Sequence, residues 1–281
     1  MAALFGWARD RGEETVRMGT SATRTEGDRA AIEIRSLGKV YASQDGQIQA
    51  LSDVSFAVAD AEFVTIVGHS GCGKSTLLKI IAGLLPASSG SVSVRDRSVT
   101  GPLSDVGMVF QRPVLLKWRT ILGNVMLPIE MLRLPRKESA ERALGLLELA
   151  GLSEFRHQYP AQLSGGMQQR AAICRALVHD PSLLLMDEPF GALDVMTREE
   201  MNFELLRIWS ERRKTTLLVT HSISEAVFLA DRVIVMTPRP GMVADIVDVD
   251  LPRPRLPETK LDPRFSACVQ TIGRKIGLLY I

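Results

Sequence analysis

The stretch Gly68-His69-Ser70-Gly71-Cys72-Gly73-Lys74-Ser75 follows the apolar run Phe63-Val64-Thr65-Ile66-Val67 and leads into Thr76-Leu77-Leu78-Lys79-Ile80-Ile81. An uncharged apolar run of this kind reads as a strand buried on both faces, the pattern of a parallel sheet covered by helices. Thr76 to Leu84 reads as a helix that stops near Gly83 and Pro86. Strand, glycine loop and helix in this order are the context a phosphate-binding loop requires. The glycines let backbone N–H groups turn toward phosphate oxygens, and the helix N-terminus adds a favourable partial positive charge. The expected cradle comprises Gly68, His69, Ser70, Gly71, Cys72, Gly73, Lys74, Ser75 and Thr76. Lys74 is expected to reach the β and γ phosphates of ATP, and the Ser75 hydroxyl to bind Mg²⁺. Cys72 reads as a tolerated small residue, not a nucleophile.

A second segment, Leu183-Leu184-Leu185-Met186-Asp187-Glu188-Pro189, is another buried strand, and it ends in two carboxylates. Asp187 is expected to hold Mg²⁺ indirectly, and Glu188 to polarise the attacking water as a general base. Gln111 follows the strand Val106 to Phe110, and His221 follows the strand Leu217 to Thr220. Strand ends at the carboxyl edge of one parallel sheet converge on ligands. Gln111 is therefore a candidate for Mg²⁺ and water, and His221 for the γ-phosphate.

The third segment is Leu163-Ser164-Gly165-Gly166-Met167, a glycine-rich turn that opens a helix over Gln168 to Val178. With these motifs together, the chain resembles the nucleotide-binding subunits of ATP-binding cassette (ABC) transporters over roughly Ile32 to Met242. The resemblance implies that Tyr41 stacks on adenine. It also implies that Ser164, Gly165 and Gly166 contact the γ-phosphate of ATP held by a second copy. Ala192-Leu193-Asp194 resembles the loop that crosses that dimer interface. Met167 stands where the family usually has glutamine, with Gln168 next. The contacts expected to matter come from the Ser164 hydroxyl and backbone N–H groups, so activity is expected to survive.

The implied fold is α/β, a P-loop NTPase core with a largely parallel sheet, an N-terminal antiparallel β layer and an inserted helical lobe. Ile32 to Ile34 and Val54 to Val58 read as the antiparallel layer, and Ser91 to Val94 as a further strand. The lobe spans about 112–178 and includes a helix over Lys137 to Ala150, with apolar positions at Ala140, Leu144, Leu147 and Leu149 or Ala150. Thr197 to Glu211 reads as a helix and Val233 to Met236 as a last strand. Three domains are expected: a disordered, charge-dense tail over 1–29, a nucleotide-binding domain over 30–245, and a C-terminal extension over 246–281. Met18 is an alternative candidate for the start. The extension carries an amphipathic helix with Phe265, Val269, Ile272, Ile276 and Leu279 on one face. It is expected to pack on the core or a dimer mate, or to touch a membrane surface. The chain after His221 is too short for a large β-rich regulatory domain, and none is expected.

Composition excludes several classes. The formal net charge is +2, with 34 basic against 32 acidic side chains, so no basic stripe points to nucleic acid. Cys72, Cys174 and Cys268 have neither zinc spacing nor an even count. No apolar run reaches the roughly 18 to 20 residues that span a bilayer. If the cassette drives transport, it acts on separate integral-membrane permease subunits from the cytoplasmic face of the inner membrane, as a peripheral subunit. An external solute-binding protein would then be an indirect partner.

The segment Pro113 to Thr120, which contains Trp118, is a candidate surface for a permease helix. That segment, Leu122 to Pro128 and Val235 to Gly241 resemble the importer group for nitrate, sulfonate and taurine, which also includes carriers of aromatic acids and pyrimidine precursors. A soluble ABC protein working on DNA or ribosomes is the alternative. A metabolic kinase has no use for Leu163 to Met167.

Overall fold

The computed structural model describes residues 30–43, 46–191 and 193–277. The expected tail over 1–29, the Met18 start, Ala192 of the interface loop and Leu279 of the C-terminal stripe lie outside the described residues.

The run at Phe63 forms β3 (Phe63–Gly68), and every residue of it is buried. The same holds for β7 (Leu183–Asp187) and β8 (Thr215–Val219). With β6 (Val106–Val109), β9 (Arg232–Met236) and β10 (Val243–Asp248) they make a six-stranded sheet of order β10-β9-β3-β8-β7-β6 among the described residues. All its pairings are parallel except that of β10 with β9. Successive side chains of a strand point to opposite faces, so this sheet divides two cores. Phe63 and Val67 face one, and Val64 and Ile66 the other.

The second core lies against α1 (Lys74–Ile81) and a four-stranded antiparallel sheet of order β2-β1-β4-β5. These strands are β1 (Ala30–Ser43), β2 (Gly46–Ala59), β4 (Ser89–Val94) and β5 (Arg97–Ser98). β1 and β2 run well beyond the short apolar stretches expected. Register shifts between Ile34, Leu37 and Lys39 break the alternation that would have marked the outer half of β1.

The first core is covered by helices. α2 (Ile121–Val125), α3 (Leu127–Leu132), α4 (Arg136–Leu149) and α5 (Gly165–Leu177) form the helical lobe. The buried face of α4 carries Ala143, Leu146 and Leu147, while Leu144, expected inside, is exposed. Buried Asn124 takes the N–H of Leu116 at 2.7 Å and donates to the carbonyls of Leu116, Arg119 and Thr120 at 3.0 to 3.1 Å. This ring of bonds fixes the 116–120 loop, on which Trp118 stands exposed.

α6 (Val195–Arg212) and α7 (Ile223–Leu229) complete the crossovers, and α8 (Pro263–Ile276) packs on α7, β9 and β10. Phe265, Ile272 and Ile276 of α8 are buried in the chain's own core, so its apolar face is already covered. Two helices start earlier than expected. α1 opens at Lys74 and α5 at Gly165, so the glycine loops themselves form the helix N-termini. α1 also ends sooner, because Gly83 takes φ +71 and a side chain there would meet the Gly101 carbonyl at 1.8 Å.

Candidate nucleotide site

β3 delivers the loop and α1 receives it. Gly73 adopts φ +101, and a Cβ there would lie 2.7 Å from Leu51 Cδ2 and 2.9 Å from the Ala50 carbonyl, so only glycine fits. Lys74 is buried, and its Nζ donates to the carbonyls of Gly68 and His69 at 2.8 and 3.0 Å. The ammonium is thereby held inside the curl of the loop. Ser75 Oγ donates to Asp187 Oδ1 at 2.8 Å, joining the loop to the end of β7. Burial pushes the Asp187 carboxyl above its ordinary range, the Ser75 bond opposing it.

A cavity of about 460 Å³ opens over this loop. Gly71, Gly73, Lys74, Ser75 and Thr76 line its floor, Gln111 and Glu188 one side, and Tyr41 with Ile48 and Ala50 the other. The Tyr41 hydroxyl lies 3.2 Å from Thr76 Oγ1, which ties the ring's edge to α1. Ser70 also lines the cavity, whereas the His69 ring turns away and its Nε2 donates to the Ile276 carbonyl at 2.8 Å. Cys72 is buried beneath the loop.

Gln111, Glu188 and His221 come together as the strand order requires. Glu188 Oε2 is 3.5 Å from Gln111 Nε2 and 3.4 Å from His221 Nδ1. The Glu188 backbone has φ +44 and donates its N–H to the Val219 carbonyl at 2.9 Å. A non-glycine residue in the left-handed region is held there by its surroundings, at a cost on the order of 1 kcal/mol.

Ser164, Gly165 and Gly166 line no part of this cavity. Ser164 caps α5, its Oγ accepting from the Met167 N–H at 3.3 Å, and Ser164 and Gly165 face solvent. Asp194 caps α6 in the same way, accepting from the Thr197 N–H and hydroxyl at 3.0 and 2.7 Å. These bonds hold its carboxyl below the usual range.

Sequence reasoning missed several residues. Ile48 and Ala50 line the cavity from positions with no motif, and Arg239 does so from the Val235 to Gly241 segment, whose resemblance pointed to the importer group and not to the nucleotide. Val195 and Met196, 71% and 73% exposed, put an apolar patch beside Asp194. Glu225, only 6% exposed, accepts from Thr220 Oγ1 at 2.6 Å next to His221, and its Oε1 has no partner among the described residues. The signal for Glu225 was its place three residues after the helix cap Ser222.

Burial raises the Glu225 carboxyl above its ordinary range, with Thr220, Arg198 and His221 opposing. The folded state therefore holds this proton more tightly than the unfolded state, and the group's contribution to stability falls as pH rises through the raised value. Glu225→Gln removes that dependence. The variant is expected to melt higher than wild type at about pH 8, by roughly 2–4 °C for each kcal/mol relieved in a chain of this size, and alike at about pH 4, where both side chains are neutral. Parallel melting curves at the two pH values measure this, and an equal difference at both would refute it.

The loop, the carboxylates and the sheet order define a phosphate-loop nucleoside triphosphatase. Comparison with known proteins narrows the class. The family model described as ABC transporter matches residues 51–191. A taurine import ATP-binding protein of Rhizobium johnstonii is 47% identical over 233 residues, covering 80% of this chain and 88% of that protein. A nitrate import ATP-binding protein of Synechococcus elongatus is 43% identical over 234 residues, 82% of this chain and 85% of that protein. A dimeric ATP-binding cassette in a post-hydrolysis state, bound to ADP and Pi, superposes with a TM-score of 0.69 at 34% identity, covering 78% of this chain and 98% of that one. The chain belongs to the ABC transporter family and is an ATP-binding subunit with ATPase activity, as the resemblance in its motifs implied. No helix among the described residues is long and apolar enough to cross a membrane.

Proposed function

We propose that the chain powers import of a small solute, working as a pair of cassettes that close on ATP beneath a separate permease. The observation that carries this reading is the division of the site. The phosphate cavity and the exposed Ser164-Gly165 turn lie apart within one chain, so each chain holds half of two sites. A second copy would bring its own Ser164, Gly165 and Gly166 over the γ-phosphate, with Asp194, Val195 and Met196 in the contact. ATP then acts as the bond between subunits, and hydrolysis releases it.

Within each half, Lys74 and the loop N–H groups bind the phosphates, and Tyr41, Ile48 and Ala50 offer an apolar wall to the base. A divalent cation such as Mg²⁺, if bound, would supply charge neutralisation at the phosphates. Ser75 and Asp187 fit a hard cation, being oxygen groups 2.8 Å apart, one of them a carboxylate, and Gln111 would add an amide oxygen. Glu188 orients and deprotonates the attacking water, held in place by Gln111 and His221. His221 turns a ring N–H toward the γ-phosphate.

Coupling to the permease is assigned to the surface beside Gln111. A groove of about 370 Å³ runs past Phe110, Val114, Leu127 and Met131, and Trp118 stands 74% exposed on the 116–120 loop that follows Val114 in the chain. Arg175 fixes this wall by donating to the carbonyls of Pro113 and Val114, each at 2.8 Å. Apolar side chains on a rigid frame suit a short amphipathic helix. Trp118→Ala is expected to leave basal hydrolysis within about twofold and to weaken permease assembly by roughly 2 kcal/mol or more, the scale of a hot-spot residue. Normal transport in that variant would refute the assignment.

The taurine import and nitrate import relatives support a small solute of the nitrate, sulfonate or taurine kind as cargo, with related organic anions or pyrimidine precursors as neighbours of that group. A mild-detergent pull-down of tagged Glu188→Gln protein with ATP present tests the whole reading. Recovery of a multi-span permease supports it, and recovery of ribosomes or DNA without a permease overturns it in favour of a soluble ABC protein.

A further inference from the structure

Away from the nucleotide cavity, and sharing no lining residue with it, a second cavity of about 480 Å³ lies between α6 and the segment Arg253 to Leu256. Four arginines line it: Arg207, Arg213, Arg253 and Arg255. Arg255 is 4% exposed. Its Nη1 donates to the carbonyls of Val227, Phe228 and Ala230 at 3.1, 3.0 and 2.7 Å, while its Nε and Nη2 have no partner among the described residues. The adjacent carboxylate, Asp231, is already engaged, with Oδ1 on Arg253 at 2.8 Å and Oδ2 on the Phe63 N–H at 2.9 Å. Burial accordingly lowers the Arg255 guanidinium to about 10.

Arg207 is paired with Glu204 at 2.8 Å. Arg213 and Arg253 both lie over the Trp209 ring, 4.9 and 4.3 Å from its centroid, and Arg213 has no carboxylate partner among the described residues. Two carboxylates thus serve four guanidinium groups. A buried cation that shares its neighbouring carboxylate with a second guanidinium is costly, and the cavity beside it is where a further counter-charge can enter.

We propose that this cavity is a binding site for a small organic anion, a carboxylate or sulfonate on an apolar body. The remaining walls decide the body. Phe203, Leu206, Pro254 and the exposed Leu256 are apolar, so a bare inorganic anion would leave them wetted, and a cation would be repelled. The volume falls in the range of small-ligand pockets, which combine apolar walls with a few placed polar groups.

The test uses the full chain saturated with ADP, so that the phosphate loop is filled, titrated with hexanesulfonate and separately with neutral hexanesulfonamide. One-to-one binding of the sulfonate by calorimetry is expected, with a raised Tm, and at least about tenfold weaker binding of the sulfonamide. Arg213→Gln and Leu256→Asp, both at exposed positions, are expected to weaken the sulfonate by a similar factor while ADP affinity stays unchanged. Sulfonate binding that survives both substitutions, that is displaced by ADP, or that fails to appear at millimolar ligand would overturn the site.

Discussion

Glu188→Gln is expected to lower steady-state ATP hydrolysis by about two to four orders of magnitude, the range a positioned general base contributes. The substitution keeps the size and shape of the side chain. The amide can still lie between Gln111 and His221, whose nitrogens stand 3.5 and 3.4 Å from Glu188 Oε2. Only the capacity to take a proton from water is lost. The cradle is untouched, since Lys74 and Ser75 are held by Gly68, His69 and Asp187 and make no bond to Glu188. ATP affinity should therefore remain near wild type, and the two half-sites should close without reopening. Size-exclusion chromatography with ATP is expected to show an accumulated dimer that ADP does not produce. Wild-type turnover in this variant would remove Glu188 from the role of base and leave its backbone at φ +44 without a catalytic reason.

The parts of this fold that were legible share one property, which is that local chemistry and global environment agree. β3, β7 and β8 are buried on both faces because helices or a second sheet cover both, and their sequences are predominantly apolar, with no charge before the Asp187 that ends β7. The loop after β3 was legible because its glycines answer a backbone requirement that no other residue meets at Gly73. β10 and the outer half of β1 were not, since β10 is a half-exposed edge strand and β1 is bent by register shifts.

Within the site, Gln111, Glu188 and His221 could be grouped in advance by their positions after strands of one sheet. Tyr41, by contrast, rested on family resemblance, Ile48 carried no signal at all, and Arg239 carried none for the nucleotide. They reach the cavity only because the β1–β2 ribbon and the loop after β9 fold back over the phosphate loop. The Leu163 to Met167 segment was legible as a helix opening, but its separation from the cavity is a fact of three dimensions. Under the proposed pairing, that separation leaves each chain with half of each site.

Lys74→Ala is expected to weaken ATP binding by roughly ten- to a hundredfold, the loss of one or two hydrogen bonds to charged oxygens at about 1.5–3 kcal/mol each, not fully additive. The side chain is buried and bonded to the Gly68 and His69 carbonyls, so its removal also frees the curl of the loop. Circular dichroism and melting curves should show that α1 and the two cores persist, because Leu77, Leu78 and Ile81 anchor that helix independently of Lys74. Equilibrium titration with a fluorescent ATP analogue then isolates the binding term. The contrast with Glu188→Gln separates two failures that both abolish hydrolysis. One variant should bind ATP and lock as a dimer, whereas the other should neither hold the nucleotide at ordinary concentrations nor dimerise on it. If Lys74→Ala bound ATP as wild type does, the cavity beneath Tyr41 would not be the phosphate site, and the half-site argument would lose its first member. If it bound weakly yet still dimerised on ATP, the contacts of Ser164 and Gly165 would have to supply the affinity that the loop was assigned.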